Sequence, residues 1–219
     1  MNKQAVLNIL QDHKTNPDGH RLSVAVDGET FDLMPFGAWA LTRPELIKLI
    51  ADWREKHSMA FPSIFKVTFE GTKKWFEKRV LEDPERILFA ILDRNGCMVG
   101  HIGVATFDWN TGDCEIDNVM RGDSNAPKGL MTAATNTMVD FMYGKLGAKT
   151  VSLRVFGDNW RAIALYNRCG FTPFKSIPMT CEFSDAGVTW KELPVFDHQN
   201  TNRIFLTMRH TPKMKGTVI

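Results

Sequence analysis

No two cysteines in this sequence stand close enough to read as a metal or redox motif. Cys97, Cys114, Cys169 and Cys181 are widely spaced, with no C-x-x-C pair and no histidine cluster beside them. That argues against a zinc framework or a disulfide scaffold and suits a reducing compartment. Long apolar runs are missing too. The longest, Ile87 to Leu92, falls far short of the roughly 20 residues a membrane-spanning helix needs. No secretory leader is legible, because Lys3, Asp12, His13, Lys14, Asp18 and Asp27 interrupt the first thirty residues. Long basic runs are absent, and the formal net charge is only +2, so nucleic acid is not an expected partner. There is no internal repeat and no low-complexity tract. The expectation is a cytoplasmic protein with no metal, no nucleic acid and no membrane among its partners.

What is present fits one sizeable α/β domain. Hydrophobic residues make up 43% and charged residues 24% of the 219, an ordinary globular balance. The expected division is an N-terminal extension over 1–25, a single domain over 26–212 and a tail over 213–219, with Lys213 and Lys215 as solvated charge. Val6, Leu7, Ile9 and Leu10 predict a helix closed by Asn16-Pro17-Asp18-Gly19. Leu22–Val26 and Phe31–Pro35 flank Asp27-Gly28, a strong hairpin signal. Thr42-Arg43-Pro44-Glu45 reads as a capping box that opens a helix running to about His57. Thr72 reads as the cap of a second helix, stopped before Asp83-Pro84, and the Phe-rich stretch between the two helices as a loop.

From Ile87 the pattern turns to strands: Ile87–Leu92, Cys97–Phe107 and Cys114–Met120, joined by turns at 93–96 and 108–113. The stretch RGDSNAPKGLM then opens a helix on which Leu130, Met131, Ala134, Met138, Phe141 and Met142 recur at helical spacing. Gly144 and Gly147 can end it. Thr150–Phe156 is a strand, followed by a helix from Asp158-Asn159, a strand from Phe171, a long polar loop at about 184–201 and a last strand, Arg203–Arg209. This order predicts a mixed sheet with helices on both faces.

A loop that feeds a helix start directly after a strand is an anion trap, since free backbone N–H groups and the positive end of the helix dipole face it. RGDSNAPKGLM supplies Gly122 and Gly129 for close backbone approach, with Arg121 and Lys128 as nearby charge. It is no P-loop, because Gly-Lys-Ser/Thr is absent, and no dinucleotide fingerprint, because G-x-G-x-x-G is absent. On the preceding strand, alternation places Glu115, Asp117 and Val119 on one face and Ile116 and Asn118 on the other. Two carboxylates sharing a face raise each other's pKa, which suits a base working near neutral pH. His101, on the neighbouring strand, is a minor alternative base and reads mainly as structural.

A strand with Glu, then this loop and helix, then a strand and DNWRAIALYNRCGF, resembles the GNAT superfamily of N-acetyltransferases. The last stretch matches that superfamily's N-x-x-A-x-x-L-Y-x-x-x-G-F pattern at Asn159, Ala162, Leu165, Tyr166, Gly170 and Phe171. Ala126 to Met131 falls on the pyrophosphate signature Q/R-x-x-G-x-G/A, with Ala126 and Met131 departing from it. The resemblance implies a mostly antiparallel sheet and acetyl-CoA as cosubstrate. Its pyrophosphate would lie over Asn125, Ala126, Lys128, Gly129 and Leu130, with Arg121 near. Its pantetheine would lie along backbone N–H groups of Val119, Met120 and Arg121. Asn159 is then a cofactor contact, and Tyr166 lies beside the sulfur, where its O–H protonates or hydrogen-bonds the departing thiolate. Glu115 takes the family's base position and Asp117 shares the role or binds the acceptor.

The resemblance further implies that the acceptor is a primary amine attacking directly in a ternary complex. Trp39, Trp53, Phe61, Phe65, Phe69 and Trp75 crowd the region where this superfamily builds its acceptor pocket. Element order, EIDNVMRG and the long closing hairpin are most similar to members acting on amino sugars, including nucleotide-linked ones. Acetylation of a protein N-terminus or an antibiotic, and a non-catalytic acyl-CoA-binding module, are the alternatives. A homodimer is left open.

Overall fold

The hairpin at Asp27-Gly28 forms as its residues dictate. In the computed structural model, which describes residues 1–194 and 200–212, Asp27 and Gly28 have φ of 51° and 80°. That pair of left-handed residues suits a two-residue turn whose twist matches its strands. The strands are β1 (Leu22–Val26) and β2 (Glu29–Pro35). They follow α1 (Lys3–Thr15), whose first turn is capped by Asn2 and which carries Val6 and Leu10 into the main core.

Next come α2 (Pro44–Lys56), β3 (Ser63–Phe65) and α3 (Phe69–Trp75), the last continuing as a π-helical turn over Phe76–Leu81. Then β4 (Ile87–Leu92), β5 (Met98–Asp108), β6 (Asp113–Arg121), α4 (Leu130–Gly144), β7 (Thr150–Phe156) and α5 (Trp160–Arg168) follow. β8 (Phe171–Ser184), β9 (Gly187–Glu192) and β10 (Arg203–His210) close the chain.

Among the described residues ten strands form one sheet in the order β1-β2-β4-β5-β6-β7-β10-β8-β9-β3. Every neighbouring pair is antiparallel except β6–β7, which is parallel. β4 shows why its sequence is an unbroken apolar run: Ile87, Phe89 and Ile91 enter one core, and Leu88, Ala90 and Leu92 the other. A strand covered on both faces has no polar side to alternate with. α1, α4 and α5 cover the first face; α2, α3 and the π turn cover the second. A third, smaller cluster, Phe156, Ile177, Met179 and Phe205, forms beside β8 and β10, with Trp190 packed against it.

Several expectations are corrected. Thr42 does not cap α2: its hydroxyl donates to the Trp39 carbonyl, and the helix starts at Pro44 with Arg43 at the cap and no capping side chain. Thr72 lies inside α3, whose cap is Thr68, accepting from the Gly71 N–H. The Phe-rich loop contains β3, and the polar loop at 184–201 contains β9, which pairs with β8 on one side and with β3 on the other. Residues 195–199 of that loop and the tail at 213–219 lie outside the described residues. None of the described helices is long and apolar enough to cross a membrane.

Candidate active site

The parallel strands β6 and β7 stay paired only from Asp113↔Thr150 to Ile116↔Leu153. Beyond that point β6 keeps to β5 and β7 keeps to β10, so a gap opens in the sheet. N–H direction alternates along a strand, so amides of Asp117–Arg121 that point away from β5 have no β7 partner. Residues on either side of the gap face both layers of the molecule.

The alternation expected along β6 fails at one place. Asp117 opposes Gly103 and Met120 opposes His101, so Asn118 and Val119 together face Ile102 alone. This is a β-bulge, and its extra residue is Asn118 at φ 52°, a conformation that asparagine tolerates better than most residues. The bulge turns the strand over. Val119 packs against the first-face core with Ile116, and Met120 joins the second-face core. Glu115 and Asp117 do share a face, as expected; Val119 does not share it. A second irregularity gives Thr106 on β5 a φ of 55° and brings its side chain to Glu115.

Glu115 is 8% exposed, and Arg154 Nε on β7 donates to its Oε1 at 2.6 Å. Burial pushes its carboxyl up from the ordinary value, against the pull of Arg154; repulsion from Asp117 is a smaller upward contribution. Desolvation, and not the mutual repulsion expected of the pair, is therefore the main cause. Asp117 is held by Arg86, at the start of β4, and by Asn118 Nδ2 at 2.7 Å. Arg154 also reaches Glu192 at 3.5 Å. Neither arginine was singled out in the sequence. The alternation of Val151, Leu153 and Val155 would have put Arg154 on the polar face of β7, but only the parallel register brings it to Glu115.

The loop before α4 is built around Arg121 and Gly122. The Arg121 guanidinium donates to the carbonyls of Ser124 (2.9 Å) and Ala126. It braces the loop from within, so of the two expected cations, both exposed, Lys128 is the one not so engaged. The Ala126 and Leu130 side chains are buried in the core, and the Leu130 N–H donates to the Pro127 carbonyl at 3.3 Å. Asn125 N–H donates to Asp123 Oδ1 at 2.8 Å. Gly129 begins α4 at φ 93° with no capping side chain, so first-turn N–H groups remain available to an anion. That fits a pyrophosphate.

Gly122 is fixed in place, since its N–H and that of Asp123 both donate to the Val99 carbonyl at 3.0 Å. A Cβ there would land inside the indole of Trp53. Gly122→Ala is expected to cost about 1–3 kcal/mol by overpacking, a fall in Tm of about 2–12 °C that scanning calorimetry would register. An unchanged Tm would mean that Trp53 is free to swing aside.

On the other side of the gap, Asn159 caps α5: its Oδ1 accepts from Ala162 N–H at 3.3 Å. Tyr166, two turns on, is 7% exposed, and its ring sits edge-on to Phe171 at 6.1 Å. Its hydroxyl makes no hydrogen bond among the described residues. Burial pushes the phenol pKa up, and Asp117's charge adds to that across the gap. Tyr166 on the first-face layer and Asp117 on the second thus reach one another electrostatically.

His101 is structural. It is 3% exposed, its Nδ1–H donates to the Asn118 carbonyl at 2.8 Å, and burial drives its pKa down to about 4. It therefore stays neutral and holds the bulge. Away from the gap, the ligand atoms of Asp12, His13 and His20 lie within 4.8 Å of one another. The two imidazoles are stacked at 4.0 Å with planes 11° apart. An ion lying in both ring planes is impossible in that arrangement, so the set as it stands does not fit a cation.

The model of an acetyltransferase (GNAT) domain matches residues 38–172, more than half of the chain. Among curated proteins no relative matches. Among solved structures, spermidine N-acetyltransferase from Vibrio cholerae in complex with CoA and spermine superposes with a TM-score of 0.55 at 14% identity, over 74% of this chain and 88% of that one. A dodecameric structure of the Vibrio cholerae enzyme gives a TM-score of 0.55 at 14% identity, over 76% and 88%. At such identity the likeness speaks for the fold. With the family match over the strands, loop and helix that frame the gap, the chain belongs to the GNAT family and is an acetyl-CoA-dependent N-acetyltransferase.

Proposed function

We propose that acetyl transfer takes place in the gap between β6 and β7, and that the acceptor is an amino sugar, free or linked to a nucleotide, attacking directly in a ternary complex. Acetyl-CoA supplies the activated acetyl group. Its pyrophosphate is held by the backbone of Asn125–Leu130 with Lys128, and its pantetheine by unpaired amides among Val119, Met120 and Arg121. Asn159 contacts it from α5. Glu115, assisted by Asp117, takes the proton from the attacking amine, and Tyr166 gives or shares one at the departing sulfur. The observation that carries this reading is the parting of β6 and β7 after Ile116 and Leu153, with Glu115 and Asp117 on one wall and the unbonded Tyr166 hydroxyl on the other. The solved relatives favour a second acceptor, since they are named for spermidine and one binds spermine.

Titration calorimetry with coenzyme A tests the cofactor half. Binding is expected to saturate below millimolar ligand, and Lys128→Ala to weaken it by about 2–5-fold, the worth of one exposed ion pair. No binding at millimolar coenzyme A would remove the reading.

A further inference from the structure

The charges around the gap bear on the acceptor. On the second face, Glu115, Asp117, Arg154 and Arg86 form a polar band between the apolar cluster under α2 and α3 and the cluster beside β8 and β10. The segment from the end of α2 to β3 bridges those clusters. Its Met59 carbonyl accepts from Arg203 Nη1 at 3.2 Å, its Pro62 carbonyl from Trp190 N–H at 2.7 Å, and β3 pairs with β9. That segment roofs the polar band.

Among the described residues, each carboxylate of the band has a guanidinium: Glu115 and Glu192 share Arg154, Asp117 has Arg86, and Asp158 at the rim has Arg203 through both oxygens at 2.6 and 2.9 Å. A polycation needs spare carboxylates, and these are matched. The surplus has the opposite sign. Arg54, beside Trp53 on α2, makes no ion pair among the described residues. Its Nη2 donates to the Ser63 carbonyl, its Nη1 is buried without a partner among the described residues, and its guanidinium lies 3.7 Å over the Phe61 ring and 5.2 Å from that of Phe65. Burial lowers its pKa to about 10 with no carboxylate to offset it, so the group is still a cation at neutral pH. A buried donor left unpaired is costly, and a guanidinium presents its N–H groups in a fork that fits two oxygens of one anion.

We propose that the acceptor amine belongs to a molecule that also carries an oxyanion, phosphate or carboxylate, which Arg54 binds beneath the roof, and that the acceptor is not a polyamine. This rests on the β6–β7 gap being the transfer site. The oxyanion satisfies the idle Arg54 donors while the amine reaches Glu115. Arg54 acts on specificity, at a distance from the reacting atoms.

The test is acetylation by the full chain of glucosamine, glucosamine 6-phosphate, glutamate and spermidine, with kcat/KM measured for each. Either anionic amine is expected to exceed glucosamine and spermidine by about 10–100-fold, the worth of one charge-assisted contact. Preference for glucosamine 6-phosphate assigns the oxyanion as phosphate, and preference for glutamate as carboxylate. In Arg54→Ala the ratio of anionic to neutral amine should fall by about the same factor, with partial recovery in Arg54→Lys. A merely structural arginine would lower both amines together, leave the ratio intact and overturn the proposal. Spermidine or glucosamine as the best wild-type substrate overturns it alone, whether or not the variants fold. Turnover of none of the four, with coenzyme A still bound, overturns the transfer-site reading as well.

Discussion

Glu115→Gln is expected to lower kcat/KM for amine acetylation by about 10²–10⁴-fold, the usual contribution of a general base. An amine attacks a thioester only in its neutral form, so something must take its proton as the new bond forms. In the proposed mechanism that group is Glu115, which pairs with Ser152 just before β6 and β7 part and shares its face with Asp117. Burial raises its pKa, which strengthens it as a base, and Arg154 keeps the rise in check. A carboxylate whose pKa is raised is active above that pKa and lost as pH falls through it. The acidic limb of kcat/KM should therefore lie above the ordinary glutamate value of about 4.3 and vanish in the glutamine variant. Coenzyme A affinity should change little, since the pyrophosphate loop is elsewhere on the fold. Wild-type turnover across the acidic limb in Glu115→Gln would exclude this residue and direct attention to a water relay.

Tyr166→Phe is expected to lower kcat by about 10–10³-fold, with kcat/KM falling equally if the contact exists only in the transition state. The substitution removes one oxygen and leaves the ring to fill the space against Phe171, so the fold should hold. No described protein group hydrogen-bonds the hydroxyl, so its loss costs no internal bond and leaves no orphaned partner. Burial and Asp117 keep the phenol protonated, which is the state an acid or donor at the sulfur must have. A thiolate is only a moderately basic leaving group, so the smaller end of the range is a fair expectation. Measuring kcat and Tm on the same variant separates two roles: a purely packing tyrosine would leave kcat and Tm both unchanged, because the Phe ring keeps its place against Phe171.

Much of the scaffold was legible because its signals are local. Asp27-Gly28 can be almost nothing but a hairpin turn, since both residues tolerate positive φ. The unbroken run Ile87–Leu92 could belong only inside a sheet covered on both faces or inside a helix, and the Asn95-Gly96 turn behind it favours the sheet. The helix from Asn159 to Arg168 carries its own cap, its apolar stripe and its closing Gly170 within a dozen positions. Thr42 and Thr72 failed for an equally local reason: a hydroxyl near a helix start competes among several backbone groups, and Trp39 and Thr68 decided that competition through contacts no pattern encodes.

What the sequence by itself determined was therefore the order of strands and helices apart from β3 and β9, the glycine-containing loop before α4, and the positions of Glu115, Asp117 and Tyr166 along the chain. Tertiary structure decided which of them meet. The Arg154–Glu115 pair needs the parallel register of β6 and β7. The turning of Val119 away from Glu115 needs a bulge opposite Ile102. The roof over the band needs β3 to find β9, well over a hundred residues later in the chain. Each of these depends on partners far away in sequence, and periodicity records only which face a residue prefers, never which strand will stand beside it.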